Sequence, residues 1–186
     1  MQPIGPLMHE HRLIERMIAL MGQELERLKR GEEPDLRFTD HAVDFIRYFA
    51  DACHHGKEEE ILFRDVLAKQ DVEERYRELT NRLKREHAYA RDQTAKLDEA
   101  SRRHRDNGGA ESAQAIQDAL HRLVQFYPRH IATEDDEYFH QVMECFDQGE
   151  QAAMLREFDE VEKRVLHERY QDMVREHEEG QQGRKP

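Results

Sequence analysis

The stretch Cys53-His54-His55-Gly56-Lys57-Glu58-Glu59-Glu60-Ile61-Leu62-Phe63 sets two histidines and three glutamates within seven positions. Residues four apart on a helix project from the same side, about one turn apart, so a His-x-x-x-Glu pair can aim an imidazole and a carboxylate at one centre. By ligand type, imidazole with carboxylate suits Fe, Mn or Zn. The chain holds five such pairs: His11/Glu15, His54/Glu58, His55/Glu59, His130/Glu134 and His140/Glu144. With twelve histidines in the chain, roughly two pairs would arise by chance. Spacing alone therefore does not choose among them.

The elements that must position these residues narrow the choice. Gly31-Glu32-Glu33-Pro34 and Asp106-Asn107-Gly108-Gly109 read as turns, with weaker breaks near Lys69-Gln70-Asp71 and Asp147-Gln148-Gly149. Between them apolar residues recur at helical spacing, as in Leu13, Met17, Leu20, Leu25 and Leu28. The pattern predicts helices over about 7–30, 35–69, 72–105 and 110–146. A fifth, amphipathic through Leu155, Phe158, Val161, Val165 and Met173, runs to about 177, capping the bundle or forming a homodimer contact. Long helices joined by short turns imply an all-α, up-down-up-down four-helix bundle with an additional C-terminal helix. The domain would span 1–178 and leave a tail over 179–186.

In an antiparallel pair, residues at one height are equidistant from the turn. His11 and His54 are centred on the Gly31–Pro34 turn, His54 and His87 on Gln70-Asp71, and His87 and His130 on Gly108-Gly109. Four helices thus each bring one histidine to one level. A shift of 76 residues also overlays Glu10-His11 on Glu86-His87 and His54-x-x-x-Glu58 on His130-x-x-x-Glu134. The overlay continues from Glu59, Glu60 and Phe63 onto Asp135, Asp136 and Phe139. Two related hairpins face each other. Only the His54/Glu58 and His130/Glu134 pairs satisfy both regularities. With His11 and His87 they form a candidate set of four nitrogens and two carboxylates, enough for two cations sharing carboxylates and leaving room for solvent or a small ligand.

Neighbouring residues read differently. At 100° per residue, His55 points nearly opposite the apolar arc of its helix and reads as solvated. On that reading His54→Ala should cost metal and His55→Ala little. His9, His41, His104, His121, His140, His167 and His177 read as surface or satisfied residues, Glu15 as an exposed charge. Cys53 and Tyr127 read as packing, and Pro128 should bend the fourth helix.

Composition bounds the rest. The 186 residues are 38% charged with a net charge of −12, which argues against broad phosphate contacts with nucleic acid. No apolar run approaches the roughly 20 residues of a membrane span, and the N-terminus lacks the pattern of a signal peptide. Two separated cysteines point to reduced thiols in a cytoplasm.

The stretches "EHRLIERM", "CHHGKEEEILF", "EHAYAR" and "YPRHIATEDDEYF", spread over four helices, resemble the bacterial hemerythrin-like proteins with the HHE cation-binding domain. The resemblance implies a non-haem di-iron centre with His11, His54, Glu58, His87, His130 and Glu134 as ligands and the glutamates as bridges. It also implies binding of, or reaction with, O2, nitric oxide or peroxide, in sensing, delivery or detoxification. Other readings are a nitric-oxide or peroxide reductase or iron-handling enzyme fed by an electron donor, and a metal-free helical interaction protein. Mn or Zn would suit the same ligands. The chain departs from oxygen-carrying hemerythrins in placing Arg91 one turn after His87, where they have a second histidine, and in a fourth-helix His-x-x-x-Glu pair. One iron would then be less saturated or take a solvent ligand.

Overall fold

A computed structural model describes residues 2–163 and 167–182, with side chains left aside at 167, 168, 181 and 182. Four long helices come first: α1 (Ile4–Lys29), α2 (36–68), α3 (Glu74–Asn107) and α4 (110–143). Two shorter ones follow, α5 (Gln148–Glu162) and α6 (His167–Gln182). No strand occurs among the described residues. The turns fall where glycine permits them, with Gly31, Gly108 and Gly109 all at positive φ. Asp35 opens α2 by accepting a hydrogen bond from the Phe38 backbone N–H. The chain is an all-α helical bundle in which α4 packs on α1 and α3, and α3 on α2.

Over the expected fifth helix the described residues form two helices, Gln148–Glu162 and His167–Gln182; Val165 lies outside the described residues. The second helix runs to Gln182, past the expected end near 177. Their apolar faces are used within the chain. Met154, Phe158 and Val161 of α5 join the core around Ile61 and Phe63, while Tyr170, Met173 and Val174 of α6 join the core around Phe45 and Phe49.

Two features position the site. First, the core is divided into two apolar clusters. Along α1 the division falls between Leu7 and Leu13, and along α3 between Leu83 and Ala90, so Glu10, His11 and His87 lie between the two. Second, α2 and α4 are not regular α-helices. Their hydrogen bonding widens into π-type turns over Phe45–His55, Glu58–Leu62 and Thr133–Tyr138. Such turns are uncommon and cluster at functional sites. These three hold His54, His55, Glu58 and Glu134. None of the described helices is long and apolar enough to cross a membrane.

Candidate metal centre

Each histidine at the predicted level is oriented by a carboxylate on a different helix. The His11 Nδ1 lies 2.7 Å from Asp135 and the His54 Nδ1 3.0 Å from Glu10. The His87 Nδ1 lies 2.8 Å from Glu59 and the His130 Nδ1 2.9 Å from Glu86. An ionised carboxylate only accepts, so Nδ1 carries the proton and donates, which leaves a lone pair on Nε2. Every anchor is in turn held by a cation: Asp135 by Arg12, Glu10 by Lys57, Glu59 by Arg91 and Glu86 by Arg82. The repeat runs through this shell. Glu10 and Glu86 are equivalent positions, as are Glu59 and Asp135, and the equivalent Phe63 and Phe139 stack on His87 and His11 at 5.6 Å each.

The four Nε2 atoms turn inward, toward Glu58 and Glu134. Glu58 has Oε1 3.5 Å from His54 Nε2 and Oε2 3.4 Å from His87 Nε2. Glu134 has Oε2 3.3 Å from His11 Nε2 and Oε1 3.2 Å from His130 Nε2. Glu134 Oε1 also lies 3.5 Å from His87 Nε2, so each carboxylate reaches toward imidazoles from different helices. All six predicted residues are buried. The structure brings them together in two groups whose candidate ligand atoms lie within 4.8 Å of one another: His11, His54, Glu58 and Glu134, and beside them His55, His87 and His130.

His55 is a correction to the sequence reading. It is not solvated but 1% exposed. Its ring stacks on His87 with centroids 3.8 Å apart, and its Nδ1 lies 3.2 Å from Asp51. The reason is the wide turn from Phe45 to His55. A helix bonded i to i+5 advances less around its axis per residue than the 100° of an α-helix, so the wheel rotates out of register. A signal was present, since His55/Glu59 was one of the five pairs. Arg91 reaches both Asp51 and Glu59, at 2.8 and 2.6 Å, and so braces the anchors of His55 and His87 together.

The other expectations divide simply. His41 pairs with His177, and His104 with Ser112 and Glu33, as satisfied residues. His9, His121 and His140 are exposed, while the His167 side chain is outside the described residues. Glu15 pairs with Arg12 at the surface. Cys53 is buried in the apolar core, and burial pushes its thiol up to about 12. Helix α4 continues through Pro128.

The electrostatics show a pocket balancing its own charge. Burial opposes a charged His11, yet its hydrogen bond to Asp135 and the nearby Glu134 charge outweigh it and raise the imidazole to about 10, so a cation entering there would take the place of a proton on Nε2. Burial lowers His54 to about 4 despite Glu10. His55 is held well below the usual range by burial and the neighbouring His87. Burial and the Glu134 charge push the Glu58 carboxyl up, whereas the surrounding histidines overcome burial and keep Glu134 down.

Buried polar atoms need partners. The Nε2 of His11, His87 and His130 and both carboxylate oxygens of Glu58 and Glu134 have no hydrogen-bond partner among the described residues. Seven such atoms, converging from all four long helices, match the donor set that borderline cations take. No curated protein and no solved structure matches the chain. The hemerythrin HHE cation-binding domain matches residues 2–142, from the start of α1 to the end of α4. The chain belongs to the hemerythrin HHE cation-binding family.

Proposed function

We propose that this pocket holds two iron ions and that the protein binds or reacts with O2, nitric oxide or peroxide. The observation that carries the reading is the set of inward, unpartnered Nε2 and carboxylate atoms with every Nδ1 already anchored. His11 and His54 would hold one cation, and His87 and His130 the other, with Glu58 and Glu134 offering an oxygen to each. His55 would complete the second group, in the role that Arg91 cannot fill. Two ferrous ions would supply one electron each to a bound small oxidant. The chain's part is to fix the imidazoles, exclude bulk water and leave an approach. A cavity of about 150 Å3 borders His55 and Tyr127 and reaches the surface at Arg47, Asp51 and Arg91. The buried Tyr127 hydroxyl has no partner among the described residues. It offers a small polar ligand a hydrogen bond.

Anaerobic reconstitution with ferrous salt, followed by gel filtration and metal analysis, tests the reading. Two irons per chain are expected, and spectral changes on adding O2 or nitric oxide. Cations bound only to the folded state at about 100 times their Kd add about 2.7 kcal/mol per site, which raises the melting temperature by roughly 5–10 °C for the first site alone. No retained iron together with an unchanged melting temperature would sink the proposal, and preferential retention of Zn or Mn would replace iron in it. His54→Ala and His55→Ala are both expected to lower iron content. Full retention by the His55 variant alone would return that residue to a packing role.

A further inference from the structure

A groove of about 460 Å3 lies between α3 and α4, on the outer side of His130. Its charge is opposite to that of the chain as a whole, which carries −12. Arg82, Arg85, Arg122 and Arg129 line it, and Glu86 is the one carboxylate among its described lining residues. Glu86 is already engaged, accepting from His130 and from Arg82. Arg122 donates to Gln93 at 3.2 Å. Arg85 and Arg129 form no ion pair among the described residues and are exposed. The groove is therefore a concentration of positive charge that the described residues compensate only at Arg82.

The floor of the groove is aromatic. Tyr89 is 41% exposed, one of two large hydrophobic side chains left so open among the described residues. Its ring lies 5.3 Å from that of Phe126, and Phe126 stacks on His130 at 5.1 Å with planes 20° apart. The spacing explains the assembly: Arg82, Arg85 and Tyr89 share one face of α3, and Arg122, Phe126 and Arg129 one face of α4. Guanidinium groups take phosphate oxygens in paired hydrogen bonds and also lie flat on rings. The volume falls within the roughly 300–1,000 Å3 of small-molecule sites.

We propose that this groove binds a planar aromatic molecule bearing a phosphate, its ring on Tyr89 and Phe126 and its phosphate between Arg85 and Arg129. A reduced flavin nucleotide is a redox-active member of that class. The ring path Tyr89–Phe126–His130 leads from the groove to the metal pocket, so such a flavin is the electron donor. In that role each reduced flavin would give up two electrons and two protons to become oxidised flavin; the two proposed irons, held by the histidines and glutamates of the pocket, would supply one-electron acceptors in the ferric state, and the protons would go to solvent. The donor role rests on the metal reading above, whereas the binding does not.

Flavin mononucleotide titrated into metal-free and iron-loaded protein at low salt, read by flavin fluorescence, tests the binding. Saturable binding is expected, with competition by adenosine monophosphate and at least tenfold weaker binding of riboflavin, which lacks the phosphate. The double variant Arg85→Glu/Arg129→Glu should lose at least tenfold while its thermal melt is unchanged, since both side chains are exposed and form no ion pair among the described residues. Tyr89→Ala should lose several-fold. Reduced flavin mononucleotide should reduce the iron-loaded wild type at least tenfold faster than the double variant, while reduced methyl viologen, a cation, should not favour the wild type. No saturable binding, equal affinity in the double variant, or competition by inorganic phosphate as strong as by the nucleotide would overturn the proposal. Retention of an acidic redox protein without flavin binding would overturn it in favour of a protein donor. Flavin binding with equal reduction rates would overturn the donor role. A chain that retains no iron but still binds flavin refutes the metal reading and leaves the binding site standing.

Discussion

Glu134→Ala protein, reconstituted anaerobically with ferrous iron, is expected to retain one iron per chain or none, with affinity lowered by at least about 100-fold. Glu134 faces His11 through one oxygen and His87 and His130 through the other, at 3.3, 3.5 and 3.2 Å. Its loss strips an oxygen donor from both proposed cation positions at once. Loss of an imidazole removes a donor from one position only. Glu134→Gln keeps the shape but offers one neutral oxygen and should fall between the wild type and the alanine variant. Asp135→Asn touches only the anchor of His11, and effects of about 10–100-fold are the usual range for such outer contacts. Metal analysis of all three after gel filtration checks the order. Two irons bound to Glu134→Ala with wild-type affinity would remove Glu134 from the centre.

Lys57→Met is expected to lower the unfolding free energy by about 3–5 kcal/mol, read as the urea midpoint of the metal-free protein. Lys57 is 0% exposed, an unusual place for an ammonium group. Glu10 lies 2.5 Å from its Nζ and Glu162 of α5 2.7 Å. Removing the lysine takes away the ammonium group that lies 2.5 Å from the buried Glu10 carboxylate, while the contact of Glu10 with His54 stays. That is the costly direction for a buried pair, because the remaining charge stays desolvated. Glu162 is half-exposed and can be resolvated, so Glu162→Gln should cost only about 0–1 kcal/mol. The ranking separates a buried charge network from a surface one; equal midpoints for the two variants would contradict it.

The turns made the level of the site readable from sequence, because glycine and proline mark helix ends and antiparallel geometry does the rest. The repeat made Phe63 and Phe139 readable as equivalents, and both stack on histidines of the centre. The anchors were visible as repeat members but not as anchors. Glu59 meets His87, and Asp135 meets His11, across helix pairs whose rotation no local periodicity specifies. His55 was hidden for a different reason. A wide turn has no strong residue signature, so a wheel drawn for an α-helix turned a buried ring outward. The apolar stripe of the C-terminal segment was legible, while the extent of its last helix to Gln182 was not.

Glu10 holds His54, and Glu86 holds His130, each within its own hairpin. Glu59 and Asp135 instead reach across to the histidines of the opposite hairpin. Either hairpin alone would therefore orient one of its two repeat-related histidines and leave the other ring free to turn. The connection over 69–73 supplies none of these anchors. A chain cut there keeps all four restraints while its halves remain together, and loses two of them when they part. The centre is thus a property of an interface, formed as two like halves meet, although a single chain carries both.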